Sequence, residues 1–186
     1  MYFTFDVAKS IEAIGVLYRT DRVDLMNSTR LMKLLYIADR KAFRDIGRPI
    51  LGGPLFAMER GPVLKNVYEL VREQHVELPL WSQYYRRTNT NLVQVKEPDV
   101  GILSEYEIET LQAVAKEHQD HDEVDLVEIT HDFAEWKDNN PGKSDPKPIS
   151  TKEVLNAVGR GEEADKIMAF ANASTGFKRL VESHSK

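Results

Sequence analysis

The chain has 186 residues, with 25 lysines and arginines against 30 aspartates and glutamates, so its formal net charge is −5. This length suits one domain with a substantial core, and 41% hydrophobic with 30% charged residues is typical of a globular protein rather than a disordered one. The absence of cysteine excludes disulfides, thiolate metal sites and a cysteine nucleophile. A sequence pI near 5.6 argues against broad binding to a phosphate backbone.

The first residues do not resemble a targeting segment. Asp6 and Lys9 interrupt the apolar residues of the N-terminus, which is not the pattern of a secretory signal. No apolar run in the chain approaches the ~18 residues that a membrane-spanning helix needs. We therefore expect a cytoplasmic protein that does not enter a membrane.

Helical spacing dominates the first quarter of the chain. Apolar residues recur at helical positions from Val7 to Tyr18, and Asp6 is placed to cap that helix. A second helix is predicted from Asn27 to Gly47, where glycine suits a left-handed C-terminal residue. Its apolar face is broad, so we expect it to be the central and most buried helix.

A short extended segment is predicted to separate the second and third helices. Leu55–Met58 is apolar but too short for a helix, which favours a strand. Gly61 permits a sharp turn, and Pro62 suits the first position of a helix because its missing N–H needs no partner there. The pattern predicts a third helix from Pro62 onward, with Tyr68 on its apolar face.

Residues 80–96 change to aromatic and β-branched types around an asparagine-rich turn, which favours a β-hairpin. Trp81, Tyr85, Val93 and Val95 are the predicted inward side chains.

Helix starts in the second half carry strong capping signals. Ser104 with Glu107 and Ser150 with Glu153 both match the S-x-x-E capping box. Asp122 is placed to cap a further helix that runs to about Trp136.

These elements predict one compact domain of mainly α class, with about seven or eight helices and a small inserted β-hairpin or short strands. The predicted helical core spans residues 1–136, including the β element near 80–96. Residues 137–148 hold three prolines and read as a surface loop, and residues 149–186 are predicted to form C-terminal helices packed on the same domain.

Two histidine motifs have the spacing of metal ligands. His118 and His121 form H-x-x-H, but a third ligand is not apparent and such a run is usually a polar turn between helices. Glu128 and His131 match E-x-x-H, but di-iron bundles need a second copy that this chain does not have. A hydrogen-bonded structural histidine is the simpler interpretation. We predict no metal ligand, no cofactor and no catalytic residue.

Other reactive or phosphate-binding motifs are missing from the sequence. There is no G-x-S-x-G elbow, no G-x-G-x-x-G and no phosphate loop. Arg86 and Arg87 lie beside aromatic residues and suit either a nucleic-acid contact or a solubilised strand edge. Nucleic-acid binding is not expected.

Several local features occur together in a characteristic order. They are Leu34–Ala38 after a lysine, Gly47–Ile50, Ala57, Gly61–Val63, Tyr68, Leu103–Ser104, Leu126, Ile129–His131 and Trp136. From about Ile11 to Trp136 the chain thereby resembles the Panacea (SocA-like) antitoxin domain, which includes phage-associated GepA-like proteins. The Gly-Pro-Val step and the Thr-His…Trp ending are the most specific parts of the resemblance.

The resemblance implies a helical, non-enzymatic domain that neutralises an adjacently encoded toxin by protein–protein contact, as in type II toxin–antitoxin modules. The expected partner is this cognate toxin, and homo-oligomerisation is left open. Alternatives are a protease adaptor, a transcriptional regulator, or a metal-dependent hydrolase that uses His118, His121 or His131.

Amphipathic residues of the motif admit two interpretations. Tyr36, Tyr68, His131 and Trp136 each have an apolar body and a polar tip, so they either line one groove or tie helices together. The full set of candidates for partner binding or a structural motif role is Tyr36, Gly61, Pro62, Tyr68, Trp81, Arg86, His131 and Trp136.

Overall fold

The computed structural model describes residues 3–173. Its helices are α1 (Val7–Asp21), α2 (Ser28–Ile46), α3 (Lys65–Val71), α4 (Leu78–Trp81), α5 (Glu105–Glu117), α6 (Glu123–His131), α7 (Ala134–Lys137) and α8 (Thr151–Ala157), then a 3-10 turn at Gly161–Glu163 and α9 at 164–173. Its strands are β1 (Leu25–Asn27), β2 (Leu55–Met58), β3 (Gly61–Leu64), β4 (Tyr85–Thr88), β5 (Asn91–Gln94) and β6 (Lys147–Ile149). The last part of the C-terminal helices predicted at 149–186, residues 174–186, lies outside the described residues.

The strands form two antiparallel sheets, with orders β1-β5-β4 and β3-β2-β6. The prediction of a mainly α fold with one inserted hairpin was therefore wrong, because helices and two three-stranded sheets share the domain. The unpredicted strands are β3, which lies where the third helix was predicted to start, and β1 and β6, each of three residues. A strand this short shows too little alternation to be recognised, and its pairing depends on partners far away in the chain. Lys147 and Pro148, the last residues of the predicted loop, belong to β6.

Pro62 lies in a strand, so the prediction that it begins the third helix was wrong. It is opposite Ala57 in the β2–β3 hairpin, and α3 begins only at Lys65. A proline removes one N–H from the ladder, so it is tolerated in β3 because β3 is the edge of its sheet.

The predicted hairpin at 80–96 exists and its Tyr85 is buried as predicted, but the inward residue of β5 differs. Trp81 belongs to α4, and in β5 the buried side chain is Leu92, directly opposite the buried Met26 of β1. Val95 is 48% exposed, and Val93 is half-buried. For β5 the prediction chose the wrong face, because β1, which sets the register of β5, was not recognised.

Helix starts predicted from capping chemistry, and the end of α2, were confirmed, but the helix capped by Asp122 ends at His131 and not near Trp136. Asp6 accepts a hydrogen bond from the backbone of Lys9, and Gly47 ends α2 with φ +72. Both S-x-x-E sequences form complete capping boxes, at Ser104 and at Ser150.

The long helix α2 lies at the centre and packs against α5, α6, α8 and β3, while α1 packs against α5. Its buried Asp39 carboxylate accepts the N–H groups of Ile50, Leu51 and Gly52 and so holds the loop that follows the helix. Burial raises the pKa of Asp39 to about 7. Between Phe3 and residue 173, no helix combines the length and apolarity required to cross a bilayer.

Candidate functional site

Gly61 lies where α2, the β2–β3 hairpin and α6 meet. Its φ is +92, in the left-handed region that favours glycine. A Cβ placed there would lie 2.7 Å from Lys33 Nζ and 2.7 Å from Thr130 Oγ1. Backbone conformation and lack of space therefore both require glycine at this position.

Lys33 of α2 is a buried cation, with only 1% of its surface exposed. Its Nζ donates a hydrogen bond to the carbonyl oxygen of Pro62 at 2.8 Å. No carboxylate of the described chain lies within ion-pair distance of it. Burial, with a smaller effect from Arg60, lowers the pKa of Lys33 to about 7. A buried ammonium without a counter-ion lowers the stability of the folded protein.

His131 and Trp136 form a stacked pair that joins α6 and α7 to the β2–β3 hairpin. Their ring centroids are 3.9 Å apart and their planes differ by 5°. The Trp136 indole N–H donates to the carbonyl oxygen of Met58 at 2.9 Å. Burial, and then the charge of Lys33, lowers the pKa of His131, which favours the neutral ring. The buried Nε2 of His131 has no hydrogen-bond partner among the described residues.

Glu135 connects α7 to α2 through a buried carboxylate. Arg40 Nε donates to its Oε1 at 2.8 Å, and the Tyr36 hydroxyl donates to the same oxygen at 3.2 Å. The Arg40 guanidinium also lies 4.1 Å from the centroid of the Phe133 ring. Burial and then the neighbouring Glu135 charge raise the pKa of Tyr36 well above its ordinary value, so the phenol stays a donor.

We call the set Lys33, Tyr36, Gly61, Pro62, Thr130, His131, Glu135 and Trp136 the central framework. Its side chains contact one another or the backbone of the next element, so it fixes α2, the β2–β3 hairpin and α6–α7 relative to each other.

A cavity of about 410 Å³ opens beside the central framework. Its walls come from the first turn of α2, the β2–β3 turn, α3 and the β4–β5 turn. Lys33, Arg60, Arg72 and Arg87 all line it, and we call it the cationic groove. Tyr68 forms part of the wall, with the Arg72 guanidinium 5.4 Å from its ring centroid.

The structure brings together five of the eight candidate residues, namely Tyr36, Gly61, Pro62, His131 and Trp136, in the central framework. Tyr68 lies next to this set, in the wall of the groove. Trp81 and Arg86 lie apart from it. Trp81 is buried in α4 with its ring 4.9 Å from that of Tyr85, and Arg86 is exposed on β4.

Sequence reasoning missed Lys33 and Glu135, although one signal was present. Lys33 precedes Tyr36 by three residues, which places both on one face of α2. Arg60, Arg72 and Arg87 come from three separate segments, and no local pattern could have grouped them. No sequence pattern around Glu135 predicted its role.

His118 and His121 form a local polar contact between α5 and α6. Their Nδ1 atoms are 3.0 Å apart, and the Arg30 guanidinium donates to the carbonyl oxygen of His118 at 3.0 Å. Burial is the main reason that the pKa of His118 is lowered. The described part of the chain has no cluster of three or more His, Cys, Asp or Glu side chains placed to hold a metal ion.

The family model for the Panacea domain, described as antitoxin SocA-like, matches residues 31–137. The chain belongs to the SocA-like antitoxin family. The matched segment ends where the sequence motifs predicted, next to Trp136, but it begins at residue 31 and not near Ile11. It contains the whole central framework, and it contains every residue that lines the cationic groove except Ser28 and Thr29. It leaves out α1 and α8. Membership of this family supports an antitoxin role for the Panacea-domain chain. No curated protein and no solved structure matches it significantly.

Proposed function

We propose that this Panacea-domain protein is the antitoxin of a type II module and neutralises an adjacently encoded toxin by binding it directly, without catalytic turnover. The observation that carries the proposal is the family match over residues 31–137. The toxin binds to an exposed surface of this chain. Neutralisation follows because the chain then covers the toxin's working surface.

The central framework supports a scaffold role. Its charged and aromatic side chains are mostly buried and are engaged with each other, as in the contact of Glu135 with Arg40 and Tyr36. Except for Lys33, which donates only one hydrogen bond, these side chains stabilise the arrangement of helices and sheets and are not free to bind a protein partner. The binding contacts must therefore come from exposed residues.

The outer face of the β1-β5-β4 sheet offers an apolar contact surface. Leu25 is 50% exposed and lies opposite Val93 of β5, while Val95 just beyond β5 is 48% exposed. Val23, two residues before the start of β1, is also exposed. Neighbouring exposed apolar side chains are typical of a protein–protein interface.

Co-expression of the chain with the product of the neighbouring gene tests the proposal. We expect the two proteins to co-purify and growth to be restored. Leu25→Asp should weaken the complex, since it places a charge in the apolar contact surface. Val124→Asp is the matched control, because Val124 is equally exposed but lies on α6, outside both sheets.

Toxicity that persists when both proteins accumulate would refute the proposal. The lifetime of the toxin separates occlusion from delivery to a protease. Occlusion leaves the lifetime unchanged or longer, whereas a protease adaptor shortens it.

A further inference from the structure

The cationic groove collects positive charge without compensation. Lys33, Arg60, Arg72 and Arg87 line it, and none of the four has a carboxylate within ion-pair distance in the part of the chain that the structure describes. Among residues 3–173, Glu59 is the one acidic side chain in the lining. The lining therefore carries a net charge of up to +3, from four cations and one carboxylate.

Two buried polar groups at the groove make fewer hydrogen bonds than they could. Ser28, in the first turn of α2, is 8% exposed, and its Oγ has no hydrogen-bond partner among residues 3–173. Lys33 is 1% exposed and donates one hydrogen bond, to Pro62, although an ammonium has three donors. Buried polar groups without partners cost stability, which is typical of a site whose partners arrive with a ligand.

Part of the remaining wall is apolar, beside the polar residues Thr29, Asn89 and Thr90. Met32, Val63, Tyr68 and Val71 line the groove, and the ring of Tyr68 offers a face on which a flat group can stack. A volume of about 410 Å³ lies within the range of small-molecule sites.

We propose that the cationic groove binds a small phosphate monoester with an apolar or aromatic body, such as a nucleoside monophosphate. The phosphate lies among Lys33, Arg60 and Arg87 and accepts from Ser28 Oγ, and the body lies against Tyr68. This site is separate from the toxin contact, and it does not depend on the antitoxin role.

Charge and geometry favour a phosphate over a carboxylate. A phosphate monoester carries close to two negative charges at neutral pH, and it matches a lining of up to +3 better than a single carboxylate does. Arginine guanidinium groups present pairs of N–H donors that fit phosphate oxygens.

Calorimetric titration of the full chain tests the proposal with AMP, adenosine and inorganic phosphate as probes. We expect AMP to bind, and adenosine to bind at least about tenfold more weakly because it has no phosphate. Inorganic phosphate should also bind more weakly than AMP, because it has no aromatic group to lie against Tyr68. No binding of AMP at low-millimolar concentration would overturn the proposal. Inorganic phosphate that binds as tightly as AMP would overturn the assignment of the apolar wall.

Two neighbouring arginines provide a matched pair of variants. Arg87 lines the groove, whereas Arg86 is exposed on the same strand and pairs across from Val93 on the other face of the sheet. We expect Arg87→Gln to weaken AMP binding about tenfold and Arg86→Gln to leave it unchanged. Equal losses in both variants would indicate a diffuse electrostatic surface and refute a built site.

Proton uptake on AMP binding gives a second measurement. The charged and titratable groups around Lys33 are Arg60, Glu59 and His131. A bound phosphate raises the pKa of Lys33, so binding near pH 8 should take up a proton, seen as a dependence of the binding heat on the buffer's ionisation enthalpy. Lys33→Met should abolish both AMP binding and this dependence, and uptake that survives the substitution would contradict the role of Lys33.

Discussion

Replacing Lys33 by methionine should make the protein more stable, although it removes a hydrogen bond from the core. The buried ammonium has no counter-ion among the described residues, and burial lowers its pKa from 10.5 to about 7. A change of one pKa unit corresponds to about 1.4 kcal/mol, so the charged lysine costs the folded state about 5 kcal/mol. Methionine has a similar length and flexibility but carries no charge.

The substitution also leaves the Pro62 carbonyl oxygen without its donor. That loss costs about 1–2 kcal/mol, since the carbonyl is buried. The net gain in the free energy of unfolding is then about 3 kcal/mol at pH 6, where the lysine is charged in both the folded and the unfolded chain.

The gain should depend on pH with a defined sign. Above about pH 7 the folded protein holds Lys33 neutral while the unfolded chain still binds the proton, so the stability of the wild type rises with pH up to about 10.5. The advantage of Lys33→Met should therefore be largest at pH 6 and shrink steadily by pH 9.

Urea denaturation of both proteins at pH 6, 7.5 and 9, in buffers without phosphate, measures this difference. Lys116→Met is the matched control, because Lys116 is exposed on α5 and lysine and methionine have similar helix propensities. The reasoning is refuted if Lys33→Met is less stable than the wild type at pH 6, or if its advantage does not change with pH.

Three further substitutions test the contacts that hold the fold. Gly61→Ala should destabilise the protein by about 2–4 kcal/mol, because φ is positive and a Cβ would meet two polar atoms, whereas Gly101→Ala, with nothing within 4 Å, should cost little. Thermal unfolding compares the two, and equal effects would contradict this account. Glu135→Gln should cost about 3 kcal/mol by leaving Arg40 partly buried without its anion, and a denaturation midpoint that stays unchanged would disprove the buried pair. Ser104→Ala should cost about 1 kcal/mol through loss of the capping box, and hydrogen exchange in the first turn of α5 should rise while that in α8 does not.

Lys33 links stability to the proposed ligand. If Lys33→Met both gains stability and loses AMP binding, then the buried ammonium lowers the stability of the fold and is needed for binding at the groove. This combination also separates loss of binding from loss of folding, because a more stable variant cannot fail to bind by unfolding.

Local chemistry in the sequence was sufficient to predict the helix ends and the family. A capping box needs only residues three positions apart, so Ser104 with Glu107 and Ser150 with Glu153 specify their helix starts without help from the rest of the chain. The left-handed end of α2 at Gly47 is equally local. The ordered motifs around Gly61 and His131 identified the antitoxin family from the residues alone.

Pairing between distant segments was decided only by the tertiary structure. The three-residue strand β1 forms because it pairs with β5, and β6 forms because it pairs with β2. Neither segment has an alternating pattern of its own from which a strand could be predicted. The same pairing put Pro62 in a strand and made Leu92 the inward residue in place of Val93. The cationic groove has the same origin. Its arginines are far apart in sequence and become one charged site only because β-sheet pairing and the packing of α2 bring their segments together.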